Sequence, residues 1–238
     1  MKNNSAVYQP FINAVHNGNL DEFMSAVDDL KKQSLLQNLG SINIEAVLCE
    51  WNYNRKNRGS EKKGILLAMC YLIENGVSVK GTNLLAVVLA DNYERCSMKL
   101  LNLLVESGAD INGKYLGYSA LMYACKGYDS LGKIKFFLDN NADVNALSPN
   151  KENALILFCN NRGAFFNGDR ESIDANFKKV AQELIGKTKS LDLKDKKGNT
   201  ALGLLDAHQK SSLCVGAERV NCAWLYEQIK KEIELRQK

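Results

Sequence analysis

A short segment recurs along this chain and fixes what it can fold into. Residues 108–112 read GADIN and residues 141–145 read NADVN, with weaker copies at 76–80 (GVSVK) and 189–192 (KSLD). Their central apolar residues, Val79, Ile111, Val144 and Leu191, lie 32, 33 and 47 positions apart. Self-similarity at such a period is the signature of one supersecondary unit copied along the chain, each copy unable to bury its apolar face alone. At this period the copies fill most of the 238 residues, so no separate catalytic domain is expected.

The surroundings of each copy repeat as well. An amphipathic helix precedes it, with an apolar pair near its end: Leu72/Ile73, Leu104/Val105, Phe137/Leu138 and Leu184/Ile185. A polar turn and a second, shorter helix follow. That helix opens on a residue able to accept a bond from the free N–H groups of its first turn: Thr82, Ser119, Asn153 or Thr200. The spacing predicts helix pairs at 10–17 with 19–28, 43–53 with 64–75, and 83–91 with 97–107. Three more follow at 120–127 with 131–140, 154–160 with 174–186, and 201–208 with 218–236. Pro10 is placed at the first helical position, where no N–H is needed.

This pattern resembles the ankyrin repeat, a β-turn finger followed by helix A and helix B in about 33 residues. Residues 195–202 (DKKGNTAL) are similar to that family's D-x-x-G-x-T-P-L, and residues 10–18 (PFINAVHNG) stand in place of its P-L-H-x-A-A-x-x-G. The resemblance implies an all-α solenoid of about six helix-turn-helix units with β-turn fingers. The whole chain, 1–238, would be a single repeat domain with units at approximately 1–40, 41–81, 82–114, 115–147, 148–194 and 195–238. The family's His after the Leu is replaced throughout, by Ile12, Leu85, Met122, Ile156 and Gly203, which removes a brace from each finger. Insertions near 161–173 and 209–216 separate the last two helix pairs. The final helix, with Trp224, Leu225, Ile229 and Ile233 on one stripe, reads as a cap whose outer face meets water.

Composition removes most other classes. The chain is 45% apolar and 24% charged with a formal net charge of +4, an ordinary globular balance. The longest apolar run, residues 65–73, is far short of the roughly 20 residues a membrane span needs. The first residues lack the apolar core of a secretion signal. Seven cysteines, an odd number with no C-x-x-C pair, suit a reducing, cytoplasmic compartment. Lys and Asn are abundant, and Lys/Asn-rich ankyrin proteins resemble effectors that intracellular bacteria deliver into host cells. Glu227, Glu232 and Glu234 would then serve as a secretion signal, or otherwise as the solvated face of the cap helix.

Chemistry-bearing constellations are sparse. His16 and His208 lack a second ligand at metal spacing, so no metal site is expected. Gly186, Lys187 and Thr188 imitate a phosphate loop, but they close a helix where such a loop must open one. Cys125 and Cys159 occupy equivalent positions and read as core packing. No cofactor and no catalytic residue is implied. Two rival readings remain. One is an enzyme built from the two insertions around Asp169, Arg170, Glu171 and His208; the other is nucleic-acid or anionic-lipid binding by Arg55, Lys56, Arg58, Lys62 and Lys63.

The leading expectation is a monomeric, non-catalytic module that binds a protein and no small-molecule substrate. In the ankyrin family, finger tips and the exposed side of helix A form the binding face. That places Tyr115, Leu116, Tyr118 and Lys126 of unit four on it. Asn150, Glu152, Asn160 and Asn161 of unit five and Lys196, Lys197 and Asn199 of unit six join them. Two Tyr and a Leu at a finger tip are either an exposed hot spot or packing against neighbouring fingers. The same choice holds for Phe165 and Phe166 in the unit-five insertion.

Overall fold

A computed structural model of the chain describes residues 5–17, 19–38, 62–90, 97–127, 131–161, 175–211, 214 and 216–238. Among these residues the chain is all-α apart from one two-stranded hairpin. They fall into two compact units, Met1–Gly113 and Lys114–Lys238.

The first unit holds α1 (Ser5–Asn17), α2 (Leu20–Lys32), a 3-10 turn (Leu36–Asn38), α3 (Lys62–Glu74), α4 (Leu84–Ala90) and α5 (Met98–Glu106). Asn19 starts α2 by accepting the N–H groups of Asp21 and Glu22 at 3.1 and 3.2 Å. Asp21 and Glu22 in its first turn and Lys31 and Lys32 in its last oppose the helix dipole favourably. Its buried face, Phe23, Ala26, Val27 and Leu30, has helical spacing, and Phe23 meets Phe11 of α1 at 5.3 Å. α2 packs on α1 and α3, α3 on α5, and α5 on α4. Helix α4 is buried from Leu84 to Leu89, which explains why its sequence is apolar on every side.

Two expectations change here. Helix α1 begins at Ser5, so Pro10 lies inside it and the amide bond back to residue 6 is missing. Thr82 is not the residue that caps α4. Its hydroxyl donates to the Val79 carbonyl at 2.7 Å, and the helix opens two residues later. The helix expected at 43–53 lies outside the described residues.

The second unit opens with β1 (Lys114–Tyr115) paired antiparallel to β2 (Tyr118–Ser119). Among its described residues six helices follow: α6 (Ala120–Lys126), α7 (Leu131–Asp139), α8 (Ala154–Asn160), α9 (Ala175–Lys187), α10 (Ala201–Lys210) and α11 (Ala217–Arg236). Each begins and ends within two residues of the span expected from the repeat. Within the unit, α6, α8 and α10 pack side by side, as do α7, α9 and α11, and each helix of the first row contacts its partner in the second. Ser119, Asn153 and Thr200 cap α6, α8 and α10 as expected, accepting from Met122, Ile156 and Gly203. At α6 the Met122 sulfur also takes the Ser119 N–H, a weak brace at the position where the family carries His. Phe158 stacks on Phe177, which meets Trp224 edge-on, tying α8, α9 and α11 together.

The recurring GAD and NAD segments have a common geometry. After α3, α5 and α7 the chain passes through a left-handed residue, Gly76, Gly108 or Asn141, with φ of 91, 83 and 59°. The next amide reaches back five residues, Val77 to Leu72, Ala109 to Leu104 and Ala142 to Phe137. This is the Schellman ending, which satisfies carbonyls left open at a helix terminus. Asp110 and Asp143 then accept the N–H two residues on, at 2.9 Å each, closing the turn. A further copy ends α2, where Ser34 is left-handed at 57° and Leu35 bonds Leu30. Serine at this position hid that copy from the sequence reading.

Candidate functional site

Most of the candidate residues sit on the finger loops of the second unit, while Lys126, Asn160 and Asn161 lie at the ends of α6 and α8. In the first finger the hairpin register pairs Lys114 with Ser119 and Tyr115 with Tyr118, leaving Leu116 and Gly117 as a two-residue turn. Both have positive φ, 49 and 83°, the pattern of a type I′ turn. Gly117 is required twice over, because a Cβ there would also lie 2.5 Å from the Pro149 ring. The turn holds Leu116 outward, 74% exposed.

The two tyrosines are half-buried beneath it. The Tyr123 hydroxyl donates to the Tyr115 carbonyl at 2.9 Å and fixes the hairpin on α6. The Tyr118 ring meets that of Tyr123 at 5.5 Å, and the Lys126 ammonium lies 4.2 Å from the Tyr118 ring centre, a cation–π contact. The Asn150 amide donates to the Tyr118 hydroxyl at 3.3 Å. Four sequence candidates, Leu116, Tyr118, Lys126 and Asn150, thus lie together.

In the next finger the Glu152 carboxylate accepts the Ser148 hydroxyl at 2.8 Å, and the Ser148 oxygen accepts the amides of Asn150 and Glu152 at 3.1 Å each. Glu152 therefore shapes its own loop. Lys151 occupies the register of Gly117 and is left-handed at 60°. In the third finger Asp195 accepts the amides of Lys197 and Asn199 at 2.8 Å and the Asn199 side chain at 3.0 Å. Burial pushes the Asp195 carboxyl up, but these bonds outweigh it and hold it below its ordinary value. Asn199 is thereby drawn into its finger, while Lys196 and Lys197 stay exposed. The Lys196 amide donates to the Asn150 carbonyl at 2.9 Å, so these two fingers run edge to edge.

Asn160 is exposed at the end of α8. Asn161 is placed differently from the expectation: it is 9% exposed, and its amide donates to the carbonyls of Cys125 and Gly127 at 3.0 and 2.6 Å. It ties the end of α6 to the end of α8 and offers no binding surface. Leu147, exposed in the second finger beside the Lys114 ammonium that bonds its carbonyl, was missed. An apolar residue inside a turn segment was the available signal.

The remaining candidates serve the fold or lie outside the described residues. Cys125 and Cys159 are fully buried, and burial pushes both thiols up, which keeps them protonated and inert. Thr188 donates to the Leu184 carbonyl at 2.7 Å, and the Lys187 ammonium bonds the Leu138 carbonyl and Glu183, so this segment seals a helix end. His16 is exposed at the end of α1 and His208 is half-buried in α10. Among the described residues no cluster of His, Cys, Asp and Glu could hold a metal, and no helix is long and apolar enough to cross a membrane. Residues 169–171, Phe165 and Phe166 are not described. Nor are Arg55, Lys56 and Arg58, or the side chains of Lys62 and Lys63.

No curated protein matches the chain. Residues 116–149 match the ankyrin repeat family. That stretch runs from the exposed hairpin tip through α6 and α7 to the following finger, so the chain carries an ankyrin repeat where its candidate surface begins.

Proposed function

We propose that the chain is a series of six ankyrin repeats acting as a non-catalytic adaptor, scaffold or inhibitor that binds a protein partner. The face it uses is the finger edge and adjoining helix A ends of the second unit. The ankyrin repeat is a generic protein-interaction module, which supports a binding role for the matched segment. The observation that carries the reading is the hairpin tip: Leu116 stands 74% exposed on a turn locked by two left-handed residues and a Tyr–Tyr–Lys stack. An apolar side chain standing in water on a fixed turn suits a hot spot, because little loop freedom is lost on binding. Tyr118, Lys126 and Asn150 cluster at this finger, and Lys196 and Lys197 stand exposed on the finger whose Lys196 amide bonds the Asn150 carbonyl.

Affinity purification from cell lysate followed by mass spectrometry tests this. Partners captured by the wild-type chain should be lost with Leu116→Asp, whose exposed site leaves folding intact. An identical set of captured proteins from both chains contradicts the site. Delivery into a host cell as a bacterial effector is a narrower form of the same reading. It rests on Glu227, Glu232 and Glu234, of which Glu232 bonds Arg236 at 2.8 Å within the cap helix.

A further inference from the structure

Resting on the finger-edge reading above, we propose that the partner presents an acidic protein segment carrying an apolar side chain. The case is one of charge. The three tip segments of the second unit, 114–118, 147–152 and 194–199, together with Lys126, hold six lysines and two carboxylates. Both carboxylates are engaged inside their own loops, Glu152 by Ser148 and Asp195 by Lys197 and Asn199. Five of the lysines are set outward, and the sixth, Lys114, bonds the Leu147 carbonyl. Lys126, Lys151, Lys194, Lys196 and Lys197 are all exposed, so this edge has the same excess of positive charge, four, as the whole chain.

The fingers adjoin one another, so the charge forms a strip. Pro149 packs on Gly117, Asn150 bonds Tyr118, and the Lys196 amide bonds the Asn150 carbonyl. Leu116 rises at one end of this strip and Leu147 lies exposed within it. An extended acidic segment would set an apolar side chain against Leu116 while its carboxylates follow the lysines, which also steers its approach. The aromatic and apolar residues of the strip argue against a nucleic acid or a bilayer. The tyrosines are half-buried under the hairpin, with no row of exposed rings on which bases could stack. The apolar contribution is a pair of leucines, too small to insert as an amphipathic helix face does.

Random-peptide display on the intact chain tests the proposal. Enriched peptides should carry net negative charge and at least one large apolar residue. The Lys196→Glu/Lys197→Glu chain should bind them about tenfold or more weakly, and Leu116→Asp should bind them weakly too. Circular-dichroism melting confirms that the variants stay folded. Neutral or basic peptides that depend on Leu116 overturn the acidic assignment while keeping the face. Peptides indifferent to both sets of substitutions, or no enrichment at all, overturn both. Tighter binding of a thymidine oligonucleotide, or of phosphatidylserine vesicles, to the same lysines also overturns the acidic-segment proposal.

Discussion

Leu116, Gly117 and Lys151 show how single residues set the candidate surface. Gly117 and Lys151 occupy one register position in consecutive fingers, and both are left-handed. At the glycine a Cβ would also meet the Pro149 ring, and the two should respond oppositely to substitution. Gly117→Ala is expected to lose about 2–3 kcal/mol, from the left-handed backbone and the overlap with Pro149. Lys151→Gly should gain up to about 1 kcal/mol by relieving the Cβ. Urea unfolding of both variants checks this, and a shift of the same sign in both would contradict the geometry. Asp195 gives a pH-dependent counterpart. Its carboxyl is held below the ordinary value of 3.8, so its contribution is complete above that value and is lost as pH falls through the lowered one. The stability gap between wild type and Asp195→Asn should therefore close below pH 3.8. A gap constant with pH would mean the carboxylate bonds contribute nothing.

Elements were the scale most open to sequence reading. The repeat gave every described helix boundary of the second unit to within two residues, because the apolar pairs, caps and left-handed turns all recur. Misreadings came where one residue type fits two roles. Pro10 suits a first turn but sits inside α1, and Thr82 can cap a helix but bonds Val79 instead. Its position in the repeat puts Asn161 on the binding face, whereas two open carbonyls at a helix end draw it inward. The side-chain bonds that close helix ends from far along the chain were not legible. Arg236, on the last turn of α11, donates to the Ile185 and Thr188 carbonyls at 3.1 and 2.6 Å and so finishes α9. Arg236→Ala should cost about 1–2 kcal/mol and speed hydrogen exchange at the end of α9. Arg236→Lys should recover only part, since an ammonium cannot span both carbonyls as the guanidinium fork does. Exchange unchanged in Arg236→Ala would remove this role.

At the scale of the molecule, packing accounts for most apolar side chains among the described residues. Each helix pair is used in burying its neighbours, and the apolar residues of α4, α6 and α8 are almost wholly inside. What remains distinctive is the finger edge, where an exposed leucine and a strip of lysines stand on turns that the repeat holds rigid. Sequence located most of this edge, since Tyr118, Lys126 and Asn150 came from a position-by-position mapping and do meet in space. It could not show that Leu116, rather than the tyrosines, is the exposed member, because that depends on which side of a two-residue turn faces water. Hydrogen–deuterium exchange of the chain bound to a captured partner tests the central claim most directly. Protection should concentrate at residues 114–118, 147–152 and 194–199 and at the end of α6. Protection confined to α7, α9 and α11, with the fingers exchanging as in the free chain, would contradict it.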